Sequence, residues 1–325
     1  MMLPDANIII ENASRIKPYI NRTPVLTSQR INTILGADIY FKCENFQKAG
    51  AFKSRGAVNA VFLLHDSELN RGVATHSSGN HAAALARAAS LRGIKAHIVM
   101  PDNSSKVKID AVRSYGGIIT FCIPTLKARE TTLHKVIEET NAIEIHPYNN
   151  YNIIGGQATA AKELIEDIND LDIIMAPVGG GGLLSGTALS THYFSPKTKV
   201  IAAEPEQADD AYQSFMQKKF IPSINPDTIA DGLRALSVSS RTLKYLRNLD
   251  EFHLVEEESI RYWTAWLIQM MKITCEPSAA ISMAAAHSWL QHQPHNKVIL
   301  ILITGGNVDP EFYQELSTLD LFISA

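Results

Sequence analysis

Three short clusters gather residue types that can do chemistry together. The first is Asn45-Phe46-Gln47-Lys48-Ala49-Gly50-Ala51-Phe52-Lys53-Ser54-Arg55-Gly56-Ala57. A lysine at a helix start opposes the positive end of the helix dipole and is an odd structural choice. Buried there, Lys53 would be driven toward its neutral amine, which can form a Schiff base. A solvated surface lysine is the plain alternative. The second cluster is Ser77-Ser78-Gly79-Asn80-His81. Its serines and asparagine are ordinary helix caps, and such groups at a helix start also make a seat for a carboxylate. The third is Pro177-Val178-Gly179-Gly180-Gly181-Gly182-Leu183-Leu184-Ser185-Gly186. Four consecutive glycines between an apolar strand and a helix are costly to order. They make sense where backbone N–H groups crowd around a phosphate, with a flexible turn as the competing reading.

The glycine run also nearly fits a dinucleotide fingerprint through Gly180, Gly182 and Ser185, with Glu204 downstream at the end of the next strand. Ser185 stands where that pattern wants Gly or Ala, and the fingerprint belongs on the first βα turn of its fold. An NAD-dependent oxidoreductase is therefore the competing function from a different class.

The elements that must position these clusters alternate along the chain. The pattern predicts strand 38–44 with helix 56–64, strand 72–75 with helix 80–91, and strand 96–100 closed by Pro101. Pairs 118–122 with 126–140, 172–178 with 183–192, and 297–303 with 310–316 follow. Such alternation predicts an α/β fold of two lobes, each a mostly parallel sheet flanked by helices. The ligand belongs beyond the carboxyl ends of the strands. Residues 72–149 are expected to form a small domain, and 1–71 with 150–325 a larger one.

Composition agrees with this size and class. A chain of 325 residues suggests about two domains. Its 46% hydrophobic and 19% charged residues are a globular balance. The 30 Lys+Arg against 33 Asp+Glu leave a net charge of −3, without a basic block to grip a phosphate backbone, so nucleic acid is not an expected partner. The strongest apolar run near the C-terminus, 298–303, is a strand's length, and no membrane partner is expected. The N-terminal stretch carries Asp5 and Glu11 and no basic leader, so no signal peptide is expected. Cys43, Cys122 and Cys275 are odd in number and far apart, which fits a reducing cytoplasm.

Taken together, the clusters resemble those of fold-type II pyridoxal-phosphate enzymes, the tryptophan-synthase-β-like group. Within it the sequence is most similar to the branch of serine/threonine dehydratases and serine racemases. The matching segments are Ala51-Phe52-Lys53-Ser54-Arg55-Gly56-Ala57, Ser77-Ser78-Gly79-Asn80-His81, the glycine run, and Thr304-Gly305-Gly306-Asn307. Ala202-Ala203-Glu204-Pro205 and Ala208-Asp209-Asp210-Ala211-Tyr212-Gln213-Ser214 add to these, in an order that matches from about residue 20 to about 310.

The resemblance implies roles for particular residues. Lys53 would carry pyridoxal 5'-phosphate as a Schiff base, with Phe52 beside the ring and Asn80 on its phenolate oxygen. The N–H groups of Gly179, Gly180, Gly181, Gly182 and Leu183 would cradle the phosphate. Thr304 would face the pyridine nitrogen, and a neutral hydroxyl there makes a milder electron sink that suits β-elimination. The substrate would be an L-amino acid with a β-hydroxyl, such as L-serine or L-threonine. Its carboxylate would sit around Ser77, Ser78, Asn80 and His81. Lys53 would take the α-proton, and the products would be a 2-oxo acid and ammonia. Ser78 matches the serine that protonates the opposite face of the α-carbon in racemases, so serine racemase activity is expected as a second outcome. Glu204, Asp210 and the carbonyl of Ala208 match a divalent-cation site suited to structural Mg2+, or to Ca2+ or Mn2+. Asp209 and Asp210 otherwise complement the dipole of the helix running into 212–218. A homodimer is also implied.

Departures from the family pattern sharpen the expectation. Ala235 and Leu236 stand where animal serine racemases have serines near the substrate carboxylate. Arg234 or Arg129 would instead meet a second carboxylate, as L-threo-3-hydroxyaspartate ammonia-lyases need. Ala83 and Met270 replace polar residues that help bind ATP between subunits, so nucleotide activation is not expected. The length leaves no room for the regulatory domain of biosynthetic threonine dehydratases, and feedback control by isoleucine is not expected.

Overall fold

The computed structural model describes residues 4–224, 226–293 and 296–321. In chain order its strands are β1 (Val25–Thr27), β2 (Asp38–Cys43), β3 (Val73–His76), β4 (Ala96–Pro101) and β5 (Ile118–Cys122). They continue with β6 (Ile143–Glu144), β7 (Ile173–Pro177), β8 (Lys199–Pro205), β9 (Glu251–Val255) and β10 (Val298–Ile303). The larger sheet has the order β1-β2-β10-β7-β8-β9 and the smaller β5-β4-β3-β6. Every pairing is parallel except that of β1 with β2. The fold is therefore the expected α/β arrangement of two mostly parallel sheets. The chain ends assigned to the larger domain, 1–3 and 322–325, lie outside the described residues.

The centre of the larger sheet explains the apolar run in β10. Its register sets Ile299 beside Ile39 of β2 and Ile173 of β7, so it lies in the sheet's interior. Ile299, Ile301 and Ile303 join the core built with Trp263, Trp266 and Met283 of the helices Glu257–Met271 and Pro277–Leu290. Leu300 and Leu302 point the other way, into the core shared with Leu183 and Leu184 of the helix Gly182–Phe194. A strand buried on both faces has no polar side to present, hence the unbroken sequence VILILI. Truncating Ile301 to alanine would cost about 2–5 kcal/mol. In the smaller sheet, Ala74 and Val99 pack on Leu133 and Val136 of the helix Leu126–Thr140. Val73, Ile98 and Met100 face the alanine-rich helix Asn80–Leu91.

Most expected elements stand where the pattern put them, shifted by a residue or two. The helix expected at 56–64 is different, because it runs Lys53–Phe62. Gly56 is a packing position and not a helix start. It meets Gly156 of the helix Tyr151–Asp167, where an added Cβ would lie 2.6 Å from the Gly56 Cα. The helix therefore begins at Lys53 itself, which lies in its first turn. Beneath that helix lies a buried charge network. Arg55 bonds Glu44 at 2.7 Å and Glu163 at 2.8 Å, and Lys42 bonds Glu163 at 2.9 Å. Among the described residues, no helix is long and apolar enough to cross a membrane.

Candidate active site

The carboxyl ends of β3, β7 and β10 feed one cavity of about 220 Å3, lined from both sheets. Parallel α/β sheets place ligands at this end of their strands because the βα loops and helix N-termini gather there. All of the expected cofactor and substrate residues line it: Phe52, Lys53, Ser77, Ser78, Asn80, His81, Arg129, Gly179, Gly180, Gly181, Gly182, Leu183 and Thr304.

Lys53 is held in place through the two residues before it. The Phe52 N–H donates to the Thr304 carbonyl at 3.0 Å, and Ala51 bridges Gly305, which anchors the helix start to the end of β10. The lysine is partly exposed as a residue because it faces the cavity. Its Nζ donates only to the Pro147 carbonyl, at a long 3.4 Å, and lies 5.0 Å from the Phe52 ring centroid. Burial lowers its pKa to about 8, against the raising charge of Glu276. At pH 8 about half of this amine is neutral, against under ~1% of an ordinary lysine.

The glycine turn follows β7 and opens the helix Gly182–Phe194, which has no side-chain cap. A Cβ on Gly180 would lie 2.2 Å from Cδ1 of Tyr148, so that ring can lie on the turn only if position 180 is bare. Gly181 adopts φ +85, a left-handed conformation that side chains resist. Tyr148 is fixed at its far end, where its hydroxyl donates to the Ser237 carbonyl at 3.0 Å. The N–H groups at the head of the helix are thus left for whatever the cavity holds.

After β3, the Ser77–Asn80 turn enters the helix Asn80–Leu91. Asn80 Nδ2 donates to both Glu276 oxygens at 2.9 and 3.2 Å, and its Oδ1 accepts from Asn307 Nδ2 at 2.8 Å. Burial raises Glu276 to about 7, with the charge of Asp231 adding to the effect. His81 is buried, and its Nε2 donates to the Ile145 carbonyl at 3.0 Å. That bond makes Nδ1 the bare nitrogen, and it has no hydrogen-bond partner. Burial drives His81 to about 3, with the Lys53 charge second. His76 and His146 are lowered to about 4, also mainly by burial, and their rings stand edge to face at 6.1 Å. His81 and His146 thus stand near the Lys53 amine as neutral imidazoles, without adding positive charge.

Thr304 is buried at the end of β10, where its hydroxyl makes only a long 3.5 Å bond to the Ser278 carbonyl. Arg129 reaches the cavity from the helix Leu126–Thr140, and its Nε is buried without a hydrogen-bond partner. Arg234 is engaged elsewhere, because its Nε and Nη2 both donate to the Thr228 carbonyl. Lys108 and Asp231 form an ion pair across the cavity, from the helix Lys106–Ser114 to the turn Asp231–Leu233.

The expected metal residues lie apart from the cavity. Glu204 ends β8, is fully buried, and accepts N–H bonds from Ala211 at 3.0 Å and Tyr212 at 2.7 Å. Asp210 is 1% exposed and neither oxygen has a well-formed hydrogen bond, although the Val238 N–H lies close enough to favour its charge. Burial raises both carboxyls, and for Glu204 the neighbouring charge of Asp210 adds to it. Ala208 is buried in the short turn between them. Among the described residues there is no group of three or more His, Cys, Asp or Glu arranged around a point.

Nothing in the sequence marks Tyr148 or Glu276 as part of a site. Glu276 precedes Pro277 at a helix start, where an acidic residue reads as a partner of the dipole. Tyr148 is a single aromatic in a loop without period. Only the fold brings them to the glycine turn and to Asn80.

Known proteins share this architecture and sequence. The family model described as "Pyridoxal-phosphate dependent enzyme" matches residues 16–305. The chain is 45% identical over 313 residues to the β-hydroxyaspartate dehydratase of Paracoccus denitrificans, covering 95% of this chain and 98% of that one. It is 46% identical over 310 residues to the serine racemase of Oryza sativa subsp. japonica, covering 94% and 91%. The structure of maize serine racemase superposes with a TM-score of 0.93 at 43% identity, covering 97% of each chain.

Proposed function

Because the chain belongs to the family of pyridoxal-phosphate dependent enzymes, we propose that it converts L-amino acids bearing a β-hydroxyl to a 2-oxo acid and ammonia. Racemisation of serine is a second outcome of the same site. One observation carries the reading: a buried amine, Lys53, held near pKa 8 in a cavity that a four-glycine turn also lines.

The residues fit the cofactor. The Lys53 amine has only one long hydrogen bond, and the uncapped helix behind the glycine turn offers N–H groups to a phosphate. Thr304 would meet the ring nitrogen with a neutral hydroxyl, and Phe52 would pack beside the ring. When bound, pyridoxal phosphate supplies an electron sink that makes the hydrogen on the substrate's α-carbon acidic. Lys53, once free, takes that proton, and its lowered pKa keeps a useful share of it neutral. The hydroxyls and N–H groups of Ser77, Ser78 and Asn80 bind the substrate carboxylate, with buried His81 supporting the turn from below. Ser78 supplies the proton for the other face of the α-carbon in racemisation. The Lys108–Asp231 pair holds the lobes together over the reacting groups and limits water.

A second reading, that the preferred substrate is L-threo-3-hydroxyaspartate, is favoured by Arg129. Its buried Nε lacks a partner while Arg234 is engaged, so Arg129 is the arginine free to meet a second carboxylate. Assay of 2-oxo acid release from L-serine, L-threonine and L-threo-3-hydroxyaspartate, with chiral analysis of residual serine, tests both readings. The Lys53→Ala variant should release no 2-oxo acid. Arg129→Met should lose ~100-fold in kcat/KM on the diacid and far less on serine. Equal losses on both would remove the second reading.

The same proposal includes a structural Mg2+, or Ca2+ or Mn2+, held by Glu204, Asp210 and the Ala208 carbonyl. Two neighbouring buried carboxyls, of which Asp210 has both oxygens without a well-formed hydrogen bond, suit a hard cation. A homodimer in the cytoplasm completes it. The three free cysteines fit that compartment, and sedimentation at the mass of one chain would remove the dimer.

A further inference from the structure

Among the described residues that line the cavity, Glu276 is the only buried carboxyl, and the proposed reaction leaves it without a task. Its surroundings are built around it. An added Cβ on Gly305 would lie 2.5 Å from Glu276 Oε1, so the wall leaves that position bare. The Glu276 N–H donates to the Gly305 carbonyl at 3.1 Å, which fixes the backbone. The carboxyl takes Asn80 Nδ2, and the Asn307 N–H also favours its charge. Asn307 Nδ2 in turn holds the Asn80 oxygen at 2.8 Å. An amide nitrogen carries two hydrogens. Glu276 takes one, Asn307 fixes the amide plane, and the second hydrogen is left for a ligand in the cavity.

We propose that Glu276 is a positioning residue for the cofactor: it takes one N–H of Asn80 and so fixes the other as a donor to the cofactor's ring oxygen. The inference rests on the reading of this cavity as a pyridoxal-phosphate site. A charged acceptor also polarises the amide, which strengthens its second bond. Charge on Glu276 is therefore felt at the ring through Asn80. The charged and titratable groups facing Glu276 are Lys53 of the helix Lys53–Phe62, Lys108 of the helix Lys106–Ser114, and Asp231 of the opposing turn, with the Cys275 thiol adjacent. Glu276 is raised to about 7, mainly by burial, so its proton changes within the working range of pH.

The test uses the cofactor-loaded enzyme and the variants Glu276→Gln, Asn80→Ala and the double replacement. The readouts are the visible cofactor band between pH 6 and 8 and the rate of cofactor loss, with borohydride trapping at Lys53 as the control for attachment. The wild-type band should change with a midpoint near pH 7. Glu276→Gln, which keeps the shape and an acceptor, should lack that step and lose cofactor ~10-fold faster. The double variant should lose cofactor no faster than Asn80→Ala, because Glu276 acts through Asn80. A purely structural glutamate would change melting without moving the spectral step. Retention within twofold of wild type, an unmoved step, no step in the wild type, or multiplying effects of the two substitutions each overturn the proposal. A wild type without cofactor on Lys53 overturns the parent reading as well. Cofactor on Lys53 with an indifferent Glu276→Gln overturns this inference alone.

Discussion

Replacing Arg55 by methionine removes one of four charges buried beneath the helix that carries Lys53. Its guanidinium bonds Glu44 at 2.7 and 2.8 Å, Glu163 at 2.9 and 2.8 Å, and Thr159 at 3.1 Å. Lys42 bonds Glu163 and the Thr23 carbonyl, each at 2.9 Å. Two cations thus face two anions, and the network is neutral. Burial alone would raise Glu163, yet the bonds and charges of Arg55 and Lys42 hold it below the usual carboxylate range. Without Arg55, Glu163 keeps Lys42, but the fully buried Glu44 keeps only the Thr23 hydroxyl. An uncompensated buried charge of this kind costs about 3–5 kcal/mol. With an unfolding entropy of ~2.1 cal/mol/K per residue, the melting temperature should fall roughly 4–7 °C. Thermal melting of the loaded enzyme measures this. Adding Glu44→Gln to Arg55→Met removes the stranded charge and should recover at least half of the loss. A fall of under about 1 °C for the single variant, or no recovery in the double, would refute the reasoning.

Three further outcomes follow from the same geometry. Gly180→Ala should push Tyr148 off the glycine turn, costing about 1–3 kcal/mol of stability and weakening cofactor binding, and Tyr148→Ala in the same chain should restore the melting temperature. If Gly180→Ala melts like the wild type, the close packing is not real. The His81 side chain, at about 3 in the fold and 6.5 when unfolded, gains a proton first in the unfolded chain as pH falls below 6.5. Its contribution to stability is therefore complete above that value and is lost on acidification, while Asp210 and Glu276, raised to about 7, pull the opposite way. His81→Gln should consequently lose less stability than the wild type between pH 7 and pH 5, and parallel losses would contradict this. Chelation should lower the melting temperature, and Asp210→Asn should abolish the response; a chelator without effect on melting removes the cation.

Local chemistry made part of this legible in the sequence. The helix Asn80–Leu91, the helix Leu126–Thr140 and the strand Ile118–Cys122 lie where the alternating pattern put them, although the N-cap of the first is Gly79 and no serine side chain caps it. The glycine run, Lys53 and the Ser77–His81 turn sit at element boundaries, and all line one cavity. The helix Pro277–Leu290 was hidden because it is buried nearly all round and has no polar face to create a period. The helix Tyr151–Asp167 was hidden because Gly155 and Gly156 read as breakers, although Gly156 serves close packing on Gly56. Tyr148 and Glu276 join the site through contacts with Gly180 and Asn80, far away in sequence, and no local pattern encodes such pairs.

The chemistry of the cavity turns on what is attached to Lys53. After borohydride reduction of the loaded enzyme, trypsin should fail to cut after that residue, and mass spectrometry should find the peptide 49–55 intact with a pyridoxyl phosphate group on its internal lysine. A cut after Lys53, giving an unmodified peptide 49–53 from fully loaded protein, would contradict it.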